Sequence, residues 1–415
     1  MSLKTSSSLR IIRAPWIVPV DADVFRDGAI VADGSGIIDI GPANLIISRH
    51  PGVDIIELPG ILLPALVNAH IHLDLSVLGS VVLPFKEATM CDWISALLTK
   101  RAEADYSEVQ VNAAAQQTVN DQYESGVGLM LNIANVPLDL FAVAPVEVIS
   151  LLEILGPSKA VETSLIQTID EGSKDLKLTG HAPYSTTPGL LKVIKERSRC
   201  QNAIFSLHLA ENCDESLLLT KGQGCFATFL RERNAFDGTF PISGIDSSGV
   251  VGYLQQTGLL DDKTLCVHCV HMTDKEIEIL SHSRAHVCLC PGSNRFLSVG
   301  VAPVEKFIRH NILPAIGTDS IASNPELNLW HEMALLRKEH PRISAALILK
   351  MATLGGARAL HRDHEFGSLS KGKIALFLHV QSEHYEGISR ADDLLNKLTT
   401  SGQPAIVEWL SFLDN

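Results

Sequence analysis

The sequence predicts an α/β protein: a (β/α)8 barrel of the TIM type, with a small β domain formed from both chain ends. Two observations predict it. From residue 60 onward, short apolar runs alternate with longer amphipathic stretches, eight times over about 300 residues, as a parallel barrel requires. Before that point, short strand-like runs are separated by turns containing Asp, Gly and Pro, which is an all-β texture. The domains expected from this are 1–58 plus 363–415 for the small β unit and 59–362 for the barrel.

Taken in order, the runs 10–12, 16–18, 28–32, 36–40 and 54–58 supply the N-terminal strands. The barrel strands are expected at 61–67, 127–133, 147–154, 176–179, 203–209, 264–268, 285–290 and 313–317. Their continuous apolar character suits a sheet buried on both faces. Helical patterns fall between them at 105–125, 188–199, 215–234, 273–281 and 303–310. A doubly wound sheet is the main rival, but no glycine-rich phosphate loop follows the first strand. The last 50 residues read as a return to short strands, with a turn at Gly367-Ser-Leu-Ser-Lys-Gly-Lys before an apolar run.

Bulk composition narrows the function. The 415 residues are 46% hydrophobic, enough for a large core and too apolar for disorder. A formal net charge of −13 argues against a nucleic-acid partner. The N-terminus lacks the apolar segment of a secretion signal, and the most apolar window, 58–85, is broken by Pro64, Asn68, His70, His72 and Asp74. No membrane association, a cytoplasmic location and reduced cysteines are therefore expected. Cys266-x-x-Cys269 and Cys288-x-Cys290 loosely suggest a zinc ribbon. Both pairs lie in strand-like runs, where cysteine acts as a small apolar filler.

The chemistry concentrates at strand ends. The stretch Leu63-Pro-Ala-Leu-Val-Asn-Ala-His-Ile-His ends an apolar run in two histidines one residue apart, which point to the same face of a strand. His181 follows strand four, His208 ends strand five, His268 ends strand six, and Asp319 follows strand eight in Gly317-Thr-Asp-Ser. These are the carboxyl ends, where barrel enzymes carry their sites. Three imidazoles and a carboxylate suit one divalent ion, zinc first and ferrous iron as the alternative, so His70, His72, His208 and Asp319 are the expected ligands. Glu211, three residues beyond His208, is placed to move protons, and His268 to orient the attacking water. His271 competes with His268; the apolar run terminates on His268.

These motifs resemble the amidohydrolase superfamily in its single-metal deaminase branch. The resemblance covers about residues 56–375 and rests on Pro64 to Leu73, His181-Ala-Pro-Tyr-Ser, His208-Leu-Ala-Glu, His268-Cys-Val-His, Cys290-Pro-Gly-Ser-Asn-Arg and Gly317-Thr-Asp-Ser-Ile-Ala-Ser-Asn. It implies that the small domain is a β-sandwich. It also implies that metal-activated water attacks an amidine-like ring carbon such as C6 of adenine. Glu211 would then protonate the adjacent ring nitrogen, His268 and Asp319 would assist, and ammonia would leave.

His181, Tyr184, Ser293 and Asn294 look like substrate contacts of the adenine-nucleoside branch. Asp92-Trp93-Ile94 followed by Arg101 resembles the corresponding segment of 6-aminodeoxyfutalosine deaminases of menaquinone biosynthesis. Trp93 and Arg101 are therefore expected to touch a purine nucleoside. Deaminases of S-adenosylhomocysteine and methylthioadenosine are the alternative, with Glu87 as a stand-in for their carboxylate-binding glutamate. Guanine or cytosine deaminases and triazine chlorohydrolases follow, and a non-catalytic ligand-binding barrel is more remote. A homo-oligomer is compatible with all of these. The chain departs from its relatives at Asp74, at Gly292, where a larger residue near the pocket is expected, and at Ala375-Leu376.

Overall fold

The structure is a computed structural model that describes residues 3–4, 8–83, 89–143, 145–245, 248–381, 385, 387–402 and 406–412. Eight parallel strands form the barrel: Leu66–Ile71, Val127–Ala134, Glu147–Ile154, Leu178–Gly180, Phe205–Leu209, Thr264–His268, His286–Leu289 and Ala315–Ile316, here barrel strands 1 to 8. Continuous ladders join strands 1 to 4 and strands 5 to 8 as two four-stranded sheets.

The two halves meet at two seams. At one, the His208 N–H donates to the His181 carbonyl and the Ser206 N–H to the Thr179 hydroxyl. At the other, the N–H groups of Thr318 and Asp319 both donate to the His70 carbonyl, and Ile71 bridges to Asp319. Both seams therefore lie beside site residues, which ties the position of the site to closure of the barrel.

Helices pack outside the strands, and their ends follow local side-chain chemistry. The helices Met90–Glu103, Glu108–Glu124 and Asp274–Ser283 each begin with a reciprocal capping box, from Thr89 with Asp92, Ser107 with Gln110, and Thr273 with Glu276. The helix Pro188–Cys200 has Thr187 as its cap and proline in the first turn. The single helix expected over 215–234 is two, Cys213–Lys221 and Cys225–Glu232. Gly222 and Gly224 both take positive φ, 62° and 88°, and end one helix before the next begins.

The chain ends contribute one eight-stranded sheet. Its members include Arg10–Ile17, Phe25–Asp33, Gly36–Pro42, Leu376–Gln381 and Ile406–Ser411. Ile37 from one edge region and Leu410 from the other share a small core with Ile12, Ile30, Leu62 and Phe377, so the sheet curls onto itself. The hydrogen-bonded path is continuous, and its two ends share one core as the two layers of a β-sandwich do.

Two expectations need correction here. The apolar run 61–67 is split between two sheets. Ile61–Pro64 pairs with Leu376–Gln381 and Arg10–Ile17, and only Leu66–Ile71 belongs to the barrel. Pro64 has no N–H to continue a ladder, and the chain changes partners there. The boundary at 58/59 thus leaves one strand of the terminal sheet on the wrong side. The C-terminal segment is also not all strand. Ala391–Thr400 is a helix, and it packs on the barrel helices Leu329–Glu339 and Ala345–Lys350 through buried Leu394, Leu395 and Leu398.

Among the described residues, no helix is long and apolar enough to cross a membrane.

Candidate active site

Strand 1 ends on Ile71, and His70 and His72 flank that end on one side of the chain. Their Nε2 atoms are 3.1 Å apart. The Asp319 Oδ1 lies 3.6 Å from the first and 3.5 Å from the second. The ring of His208, at the end of strand 5, is 4.9 Å from that of His70. All four side chains are buried, and their ligand atoms lie within 4.8 Å of one another.

The local backbone makes this approach possible. At Gly317 a Cβ would come within 2.7 Å of the His70 Cβ and 2.8 Å of its carbonyl oxygen, so only glycine lets strand 8 reach strand 1 here. Asp319 itself takes φ 60°, a conformation uncommon outside glycine that turns its carboxylate back over the strand ends.

The electrostatics fit a divalent ion. Burial, with the neighbouring His70 ring adding to it, pushes His72 down to about 3. Burial and the nearby His181 and His70 hold His208 well below the usual histidine range. Burial alone would raise the Asp319 carboxyl, but the hydrogen bond to His70 and the facing His268 and His72 hold it well below its ordinary value. His72 and His208 are therefore favoured as neutral imidazoles and Asp319 as a carboxylate, the forms that bind metal. The two Nε2 atoms are close enough to share one hydrogen bond, and with the Asp319 and His208 atoms within 4.8 Å they make up a ligand set for a single cation.

The remaining catalytic candidates surround this cluster. His268 takes φ 69° at the end of strand 6, and its Nδ1 faces the Asn294 Oδ1 at 2.9 Å. Its Nε2 is buried without a hydrogen-bond partner, 3.6 Å from Glu211 and 4.0 Å from Asp319. Burial first, then the nearby Asp319 and Glu215 carboxyls, raise Glu211 well above the usual carboxyl range, which favours its protonated form. His271, the competitor of His268, turns its Nε2 to the Val299 carbonyl at 2.8 Å.

A cavity of about 410 Å³ opens over the cluster. His181, Tyr184, Trp93 and Arg101 line it. Tyr184 stacks on Phe226 with ring centres 4.2 Å apart, and the Trp93 indole N–H donates to the Val81 carbonyl. Arg101 donates to Asn135 at 2.8 Å and lies 3.9 Å from Asp74, so its charge is engaged in a buried network.

Ser293 and Asn294 are corrections. Neither lines the cavity. The Ser293 hydroxyl donates to Asp319 at 2.6 Å, and Asn294 holds His268, so both act by fixing residues that face the cavity. Gly292 is another. A Cβ there would meet Glu332 at 2.4 Å and Asn324 at 2.6 Å, and its N–H donates to Glu332. The missing side chain makes room for that carboxylate and leaves the cavity unchanged. Glu87 lies outside the described residues.

The expected reduced cysteines are corrected at one pair. Cys91 and Cys225 form a disulfide, with Cα atoms 6.1 Å apart. It joins the Met90–Glu103 helix to the Cys225–Glu232 helix, which follow strands 1 and 5 yet converge on one cavity wall. The other six cysteines are free.

Sequence reasoning missed Glu153, Asn135, Phe229, Leu230 and Arg233, all in the cavity wall. Glu153 alone left a usable signal, a carboxylate near the end of an apolar strand.

The amidohydrolase family model matches residues 61–407, most of the chain. The chain belongs to the amidohydrolase family. This amidohydrolase is a hydrolase of carbon–nitrogen bonds. It is 29% identical over 388 residues to a 5-methylthioadenosine/S-adenosylhomocysteine deaminase of Moorella thermoacetica, covering 88% of this chain and 84% of the relative. The aminofutalosine deaminase of Helicobacter pylori, solved with methylthio-coformycin, superposes with a TM-score of 0.75 at 22% identity, over 96% of this chain and 98% of that one. An adenosine deaminase of Xanthomonas campestris with bound zinc gives 0.72 at 21% identity, over 100% and 93%. These likenesses establish the (β/α)8 fold.

Proposed function

We propose that this amidohydrolase is a metal-dependent aminohydrolase of an adenine-containing nucleoside. The observation that carries the proposal is the ring of groups at the cavity floor. Four buried ligand groups within 4.8 Å of one another stand beside Glu211, whose carboxyl is raised by burial, and an unpartnered His268 nitrogen. Hydrolysis of an amidine carbon needs a nucleophile on one side and a proton donor for the adjacent ring nitrogen on the other.

His70, His72, His208 and Asp319 would hold the ion, with zinc the first choice. Bound there, it supplies Lewis acidity that makes water nucleophilic near neutral pH. Glu211, raised by burial, holds the proton that the ring nitrogen receives. His268, kept neutral by burial at about 4, accepts a proton through the Nε2 that faces Glu211 and Asp319. Asn294 fixes the tautomer and direction of that ring, and Ser293 fixes the Asp319 carboxylate. His181, also neutral at about 4 and turned by Ser185, offers its other nitrogen to the substrate from strand 4.

Among adenine nucleosides, 6-aminodeoxyfutalosine is the first candidate, which would make this a step of menaquinone biosynthesis. Trp93, Leu97, Phe226, Phe229 and Leu230 give the outer cavity an apolar lining. The Arg233 guanidinium, 3.8 Å over the Phe229 ring, adds a positive charge at that wall. An aromatic substituent bearing a carboxylate suits this lining. The second reading, S-adenosylhomocysteine or methylthioadenosine, is favoured by the names of the sequence relatives.

The test is ammonia release by zinc-loaded protein from adenosine, methylthioadenosine, S-adenosylhomocysteine and 6-aminodeoxyfutalosine. The highest kcat/KM on the last supports the first candidate. Turnover of guanine, cytosine or a triazine with none of the adenine nucleosides overturns the proposal.

A further inference from the structure

The mechanism leaves one buried carboxyl on the cavity wall unused. Glu153 sits one residue before the end of barrel strand 3 and is 5% exposed. Its Oε2 accepts a hydrogen bond from the Asn135 side chain at 2.9 Å. Its Oε1 is buried and has no hydrogen-bond partner. The His208 Nδ1 lies 3.8 Å from that oxygen, and this nitrogen already points at the His181 carbonyl, 2.9 Å away. A buried oxygen of this kind is costly unless something in the cavity completes it.

Glu153, His181 and His208 together have metal-like spacing. A second ion is nevertheless disfavoured. With the His208 Nδ1 bonded to the His181 carbonyl, only two ligands would remain. The carboxyl is also held rather than loose. Arg101 donates to Asn135, and Asn135 both donates its side-chain N–H to Glu153 and donates its backbone N–H to Asp74. A chain of hydrogen bonds thus runs from the Met90–Glu103 helix to an oxygen beside His181.

We propose that Glu153 is a substrate-positioning residue that hydrogen-bonds a sugar hydroxyl of the nucleoside. The inference rests on the reading of the substrate as an adenine nucleoside, and elimination then selects the sugar. The exocyclic amine of the ring departs as ammonia at the metal cluster, and the ring nitrogen beside it faces Glu211. The remaining hydroxyl donors lie on the ribose, and Glu153 stands on strand 3, on the far side of His181 from Glu211. Held there, the sugar fixes the rotation of the base over the reacting centre.

The test compares kcat/KM for an adenine nucleoside with its 2′-deoxy and 3′-deoxy forms, in the zinc-loaded wild type and in Glu153→Gln and Glu153→Ala, with metal content measured in each. A site built to bond a hydroxyl rejects the analogue that lacks it, by roughly a hundredfold or more. The wild type is expected to prefer the hydroxylated substrate by about that factor for at least one position. Glu153→Ala should cut the preference at least tenfold while retaining its metal. The preference is a ratio within one protein, so general structural damage cancels from it. Wild-type turnover with no preference at either position, or variants that keep the full preference, overturns this inference alone. Wild-type protein that deaminates no adenine nucleoside overturns it together with the functional reading beneath it.

Discussion

The floor and the wall of the cavity are built on different principles. The floor, His70, His72, His208, His268, Glu211 and Asp319, stands at or just beyond strand ends and is fixed by backbone hydrogen bonds across the barrel seams. The wall comes mainly from two helices, Met90–Glu103 and Cys225–Glu232, joined by one disulfide and packed through apolar side chains. A strand end in a closed barrel has almost no freedom, whereas helices in βα loops can be exchanged without disturbing the core. On the proposed function, reaction class and substrate choice would reside in separable parts of this amidohydrolase. Damage to the floor should abolish the chemistry, and damage to the wall should alter only which molecules reach it.

The largest expected effect is on the floor. His70→Ala should lose metal, and activity should fall by roughly a thousandfold or more; metal analysis alongside ammonia release checks this. Removing the ion from the wild type with a chelator should do the same, reversibly on adding zinc. Next, Glu211→Gln should keep its metal and lose about 10²–10⁴ in kcat, since it removes the proton donor alone. Loss of metal in that variant would place Glu211 among the structural residues.

The wall should respond more mildly. Trp93→Ala is expected to lower kcat/KM about tenfold, mainly through KM, with metal content unchanged, because it removes one aromatic surface. A loss confined to kcat would contradict the separation of floor from wall.

The smallest effect lies behind the floor. Glu215 is buried, accepts from the Glu211 N–H, and is pushed up to about 8 by burial. Its folded value stands above its unfolded one, so the stability it contributes is complete below pH about 4.5 and is lost as pH rises through about 8. Glu215→Gln lacks that dependence. Relative to the wild type, it should gain roughly 1 kcal/mol or more in denaturant unfolding between pH about 5 and about 9. A constant difference across that range would remove Glu215 from the pH response.

The same division governs what could be read from sequence. His70, His72, His208 and Asp319 were legible because strand periodicity and an apolar run ending in a polar residue are local signals. The wall was half legible. Trp93 and Arg101 lie in one stretch, but Phe226 and Phe229 come from a helix more than a hundred residues later, with Arg233 just past its end, and only folding brings the two helices together. The Cys91–Cys225 link was hidden for the same reason, with 134 residues between its ends. Gly292 misled because its neighbour in sequence, Ser293, serves the site, while its own absent side chain faces Glu332. The split of residues 61–67 between two sheets turned on Pro64. A run of uniform hydrophobicity carries no mark of where its partners change.

The proposed reaction is metal-dependent deamination of an adenine nucleoside on this floor. Its most direct test is the product analysis of zinc-loaded and chelated wild-type protein with 6-aminodeoxyfutalosine and the related adenine nucleosides. Ammonia and the matching hypoxanthine nucleoside are expected in equal amounts from the loaded protein, and neither from the chelated one. Loaded protein that yields no ammonia from any of them, or chelated protein that yields as much, would contradict it.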